Sequence, residues 1–75
     1  MSKLPQISGK EMSNVLIRLG FSFNGQKGSH MKFIKKHSRG KEVVVIPNHK
    51  TLRPGTLVNI LGKLSLSAEK LKELI

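Results

Sequence analysis

The sequence predicts an α+β fold in the order α-β-β-β-α, a three-stranded antiparallel sheet with helices packed on one face and a short helix at the C-terminus. Three observations predict it. Apolar residues recur at helical spacing over Met12, Val15, Leu16 and Leu19, the period switches to two between Phe21 and Ile46, and helical spacing returns over Leu57, Ile60, Leu61 and Leu64. Glycine, proline and serine punctuate each change. With 75 residues, residues 1–75 are read as one domain, which at this size buries only about 60% of its unfolded surface and holds no buried cofactor.

The first helix starts where Ser8 caps the chain and Glu11 reaches back to it, with Ile7 positioned to staple onto Met12. Its apolar stripe is scaffold, Met12 is core filling, and Gly20 suits a left-handed C-terminal residue. From Phe21, alternation puts Phe21 and Phe23 on one face and Ser22 and Asn24 on the other. Asn24-Gly25 is a hairpin signal, but a turn there leaves a very short strand, so the turn is placed at Lys27-Gly28-Ser29. The second strand runs from His30 to Lys36, with Met31 and Phe33 facing the core and His30, Lys32, Ile34 and Lys36 on the open side. Ser38-Arg39-Gly40-Lys41 makes the next turn, and Glu42 to Pro47 forms the third strand. Pro54 suits a first helical position for the second helix, which packs on the sheet. A last helix follows Ser67, with Leu66 and Leu71 placed to staple.

Fourteen Lys and Arg against four acidic residues give a net charge of +10, more than solubility requires, and imply an anionic partner. Lys27, Lys32, Lys35, Lys36, Arg39, Lys41, Lys50 and Arg53 lie in the middle of the chain with only Glu42 opposing them, and all three histidines fall there too. The absence of cysteine excludes a disulfide framework, a thiol nucleophile and a thiolate zinc site. Met1-Ser2-Lys3-Leu4-Pro5 lacks the apolar run of a signal peptide and no stretch approaches a membrane span, so a soluble, cytoplasmic protein with no membrane partner is expected.

The chemistry centres on Lys27-Gly28-Ser29-His30-Met31-Lys32-Phe33, which sets a histidine among lysines at a strand end. Cleaving RNA through its own 2′-hydroxyl needs a base, a proton for the leaving oxygen and fixed positive charge for the phosphorane. His30 with Lys32 and nearby basic residues fits those needs. Lys27, Ser29, Lys36, His49 and Lys50 are candidate RNA contacts, although Ser29 also suits turn shaping and His49, a candidate donor of the second proton or phosphate grip, suits equally a loop histidine that bonds the turn before the second helix. Gly55-Thr56 opens that helix, as a cap or as a phosphate contact. His37 follows His30 by an odd spacing, which sends it to the opposite face of a strand. The same parity argues against a three-histidine zinc site, and the scattered glutamates argue against a two-metal nuclease. No metal or other cofactor is expected.

Gly28-Ser29-His30, then Ile46-Pro47-Asn48-His49, then Pro54-Gly55-Thr56-Leu57 before a Leu/Ile helix, resembles the HicA-type mRNA interferase toxin family over nearly the whole chain. The resemblance implies a double-stranded-RNA-binding-like fold, endoribonuclease action on mRNA, a catalytic histidine at His30 and neutralisation by a HicB-type antitoxin. Two other classes stay open: a non-catalytic RNA-binding module of the same fold, and a small interaction protein whose basic surface docks an acidic partner. A single-strand stacking platform is disfavoured because the core face is expected to claim Phe21, Phe23 and Phe33.

Overall fold

A serine whose hydroxyl accepts an amide proton, with a glutamate three residues on, starts a helix in the computed structural model, which describes residues 4–75. Met1, Ser2 and Lys3, part of the stretch in which the sequence reading expected no signal peptide, lie outside the described residues. The chain forms α1 (Gly9–Arg18), β1 (Ser22–Lys27), β2 (His30–His37), β3 (Gly40–Pro47), α2 (Pro54–Leu64) and α3 (Ala68–Leu74). The strands form one antiparallel sheet in the order β1-β2-β3. This is the predicted α+β architecture.

Both ends of α1 are closed by local sequence. The Glu11 amide donates to the Ser8 hydroxyl and the Ser8 amide to the Glu11 carboxylate, each at 2.9 Å, and the stapling pair Ile7 and Met12 is buried. At the other end Gly20 takes φ +95°. The Phe21 amide then donates to the Leu16 carbonyl at 2.9 Å and the Gly20 amide to that of Ile17 at 3.0 Å, the paired bonds of a Schellman motif. Phe21 therefore belongs to this helix stop, and β1 begins one residue later than the alternation suggested.

α2 opens on Pro54 and closes differently, on Ser65 in the left-handed region at φ 52°. The Leu66 amide donates to Leu61 and the Ser65 amide to Gly62, the same motif without a glycine. Ser67 then caps α3 by accepting from the Lys70 amide. Helix and sheet side chains meet in one core, in which Met12, Val15 and Leu16 of α1, Leu57, Ile60 and Leu61 of α2 and Leu71 of α3 cover Met31, Phe33, Val44 and Ile46. A thin dimension of 18 Å fits two layers and leaves the other sheet face bare.

Register sets what stands on that bare face. Lys27 pairs with His30, His30 with Pro47, Lys32 with Val45, Ile34 with Val43 and Lys36 with Lys41. The hairpins are tighter than the sequence suggested. The Gly28-Ser29 loop has glycine at φ +58° in its first position, as a two-residue type II′ turn requires. The second loop is Ser38-Arg39, so β2 runs on to His37 and β3 starts at Gly40. Asn24-Gly25 makes a β-bulge, with the register shifting between Phe23 and Gln26 and Gly25 at φ +105°.

The sequence reading of the aromatics needs one correction. Phe23 pairs with Phe33 and so shares the helix face, yet it is 54% exposed. β1 is an edge strand, and the helix layer leaves Phe23 uncovered. The edge of Phe33, with ring centroids 5.6 Å apart and planes at 67°, is the aromatic contact it keeps. Phe21 and Phe33 are buried as expected.

Candidate active site

His30 is held by backbone, and three separate segments converge to hold it. The Gly28-Ser29 turn that precedes it is braced by the Gln26 side-chain amide, which donates to the Gly28 carbonyl at 2.9 Å. From the other side the Asn48 amide donates to the Ser29 carbonyl at 2.6 Å, carrying the β2–β3 ladder past Pro47. The loop after β3 is in turn clamped by the N-terminal segment. The Gly9 amide donates to the His49 carbonyl at 2.9 Å and the Leu52 amide to the Ile7 carbonyl at 2.8 Å. Gly9 is buried there, and a Cβ on it would overlap the Pro47 carbonyl oxygen and lie 3.0 Å from the Asn48 Cα. The start of α1, the end of β3 and the β1–β2 turn thus form one rigid corner with His30 on it.

The His30 side chain is exposed on the open sheet face, at the rim of a depression of about 400 Å³ that Asn24, Lys27, Lys32 and Val45 also line. Lys27 is its direct cross-strand neighbour, so their Cβ atoms stand about 5 Å apart. Lys32 is next on the same face of β2, about 7 Å along the strand. No acidic side chain lines the depression. Glu11 is used in capping α1, Glu69 and Glu73 lie on α3, and Glu42 pairs with Lys35 on the helix face. Lys35 itself leans over Phe21, its Nζ 5.8 Å from the ring centroid. Of the central basic residues, Lys27, Lys32, Lys36 and Lys41 therefore form the charged part of the open face.

The remaining sequence candidates are distributed as follows. Lys36 lies on the open face beyond Ile34, six residues along β2 from His30. Ser29 contributes its carbonyl as acceptor for the Asn48 amide, and its side chain is exposed. His49 and Lys50 are exposed on the loop after β3 and do not line the depression. The structural part of His49 is its carbonyl, which receives α1 rather than the turn before α2. His37 stands on the helix side of β2, where its Nδ1 accepts from the Arg39 amide at 3.3 Å. α2 starts without any side-chain cap. Among the described residues no three His, Asp or Glu side chains gather as a metal site would require, and no helix is long and apolar enough to cross a membrane.

Sequence reasoning passed over Asn24 and Val45 as site residues. The Asn-Gly pair was visible as a turn signal, but only the observed register shows that it bulges β1 and sets Asn24 beside Lys32. Taken together, the corner offers an exposed imidazole, two flanking ammonium groups and no competing carboxylate.

A sequence-family profile described as the HicA toxin of bacterial toxin-antitoxin systems matches residues 9–66. The match starts at the first residue of α1 and runs past the end of α2, and so includes every residue of the corner from Gly9 onward. No curated protein matches the chain.

Proposed function

Because the chain belongs to the HicA toxin family of bacterial toxin–antitoxin systems, we propose that it is a single-domain cytoplasmic toxin that cuts mRNA as a metal-independent endoribonuclease, with His30 as its general acid/base. The observation that carries this reading is the placement of His30, exposed on a rigid corner between Lys27 and Lys32. An imidazole there meets a phosphodiester from solvent without moving the backbone. The donor set supports a reaction driven by side chains, since the carboxylates that would hold a metal pair stand elsewhere.

In the proposed reaction the neutral His30 imidazole takes the proton of a 2′-hydroxyl, whose oxygen attacks the adjacent phosphorus. The bond from phosphorus to the 5′-oxygen breaks, and that oxygen takes a proton from water. Products are a 2′,3′-cyclic phosphate and a 5′-hydroxyl. The imidazolium then returns its proton to solvent, which balances the step. The Lys27 and Lys32 ammonium groups stabilise the charge that develops on the non-bridging oxygens, where pre-placed cations contribute most. Lys36, with Lys50 and the exposed groups of Ser29 and His49 outside the depression, extends the grip on the RNA backbone. A HicB-type antitoxin is the proposed protein partner, covering the basic open face.

The test is to incubate the purified protein with mRNA in excess chelator and to identify the new ends. Cleavage with cyclic phosphate and 5′-hydroxyl ends supports the proposal. Cleavage that disappears in chelator and returns with magnesium contradicts it, and binding without cleavage returns the protein to the RNA-binding-module class.

A further inference from the structure

The open sheet face carries a second depression, of about 350 Å³, bordered by Gly20, Ser22, Asn24, Ile34 and Lys36. Asn24 also borders the one at His30, so the two adjoin at that side chain and together mark a groove along β1 and β2. From His30 to Lys36 it runs six residues of strand, about 20 Å. That length suits the lower end of the roughly 4–16 nucleotides that single-strand-binding folds cover. Each depression is of the size that holds one small ligand, which fits a splayed base and not a base pair held between two backbones.

Its chemistry is graded along its length. Ile34 and Val45 give an aliphatic floor, with Val43 beside them on the same face, and Lys27, Lys32 and Lys36 stand along it. At the far end Lys36 is paired directly with Lys41. Like charges directly opposite cost stability, and no acidic residue on that face relieves them. A phosphate would. Between the two ends the side chain placed to read a base is Asn24. Its exposed amide offers a donor and an acceptor together, the combination that pairs with a base edge, and the Gly25 bulge sets it there, at φ +105°.

The geometry points to a single-stranded RNA groove in which the reacting nucleotide sits at His30, its neighbours run over Asn24 toward Lys36 and Lys41, and Asn24 is the specificity-determining residue. This rests on the ribonuclease reading above, and it adds which strand form is taken and which residue selects the base.

The experiment uses 2′-O-methyl oligoribonucleotides, which lack the nucleophile and cannot be cut. Binding of the parent and of Asn24→Ala is measured against a panel of single strands varied one base at a time and against a duplex of equal length, while mRNA cleavage is followed in parallel. Asn24 is exposed at a bulge, so the variant keeps the core. The parent should prefer single strand to duplex and discriminate one position about 30-fold, the mid-range for an amide reading a base edge. Asn24→Ala should lose that discrimination and retain most of the lysine-driven affinity. Equal duplex and single-strand binding, or discrimination unchanged in Asn24→Ala, overturns the groove even if RNA is cut. Asn24-dependent binding without any cleavage supports the groove and overturns the ribonuclease reading instead.

Discussion

Replacing Gly9 by alanine sets helix propensity against packing, and the structure decides which wins. At a helical position alanine is ordinarily better than glycine by about 0.5–1 kcal/mol. Gly9, however, sits with its Cα against the Pro47-Asn48 backbone, and the added methyl would overlap the Pro47 carbonyl oxygen. The obstructing atoms are main chain on both sides, so no side-chain rotation relieves them. α1 has to move off the loop, at the ~1–3 kcal/mol typical of overpacking. The 2.9 Å bond from the Gly9 amide to His49 is lengthened as it moves, which adds about 1 kcal/mol. After subtracting the propensity gain, a net loss of about 2 kcal/mol is expected, or a Tm lower by roughly 10 °C in a domain of this size. Urea and thermal unfolding followed by circular dichroism measure it. Cleavage should fall as well, because the same loop bonds Ser29 beside His30. A variant as stable as the parent, or more stable, refutes the claim that this backbone contact fixes the corner.

Ser65→Gly should stabilise the protein by about 1 kcal/mol, since Ser65 holds a left-handed φ of 52° that costs an L-residue about that much; an unchanged or lower urea midpoint counts against the Schellman reading of the end of α2. Lys41→Glu converts the like-charge pair with Lys36 into an opposite pair and should raise stability by about 0.5 kcal/mol. The same change should weaken RNA binding and make it less steeply salt-dependent, because a phosphate contact is removed; binding that is unaffected would take the far end of the groove out of the RNA path.

The parts of the fold legible in the sequence were those written in local residue order. Ser8 with Glu11, Gly20 after Leu19 and Ser67 each use a side chain or a glycine where a specific bond or φ is needed, and each appears as read, while the turn at Gly28-Ser29 stands where it was placed but without Lys27, which belongs to β1. What stayed hidden depends on distance through space. The Asn24-Gly25 pair suits a turn and a bulge equally, and the choice is made by pairing with β2. Alternation gave the face of Phe23 correctly, but how far the helix layer reaches over β1 is set by packing. The corner at His30 is built from the amides and carbonyls of Gly9, Ser29, Asn48 and His49, groups that every residue carries and no pattern marks. The opposition of Lys36 and Lys41 follows only once the loop between β2 and β3 is known to be two residues long.

The central claim is that His30 moves the proton and the lysines hold the RNA. Single-turnover cleavage of an mRNA fragment in chelator, compared between the parent and His30→Ala with binding measured alongside, tests it most directly. The side chain is exposed and outside the core, so the variant should fold and bind RNA close to the parent's affinity while its cleavage rate falls by about 10²-fold or more, the loss expected for a general acid/base. His30→Ala cutting as fast as the parent would contradict the account.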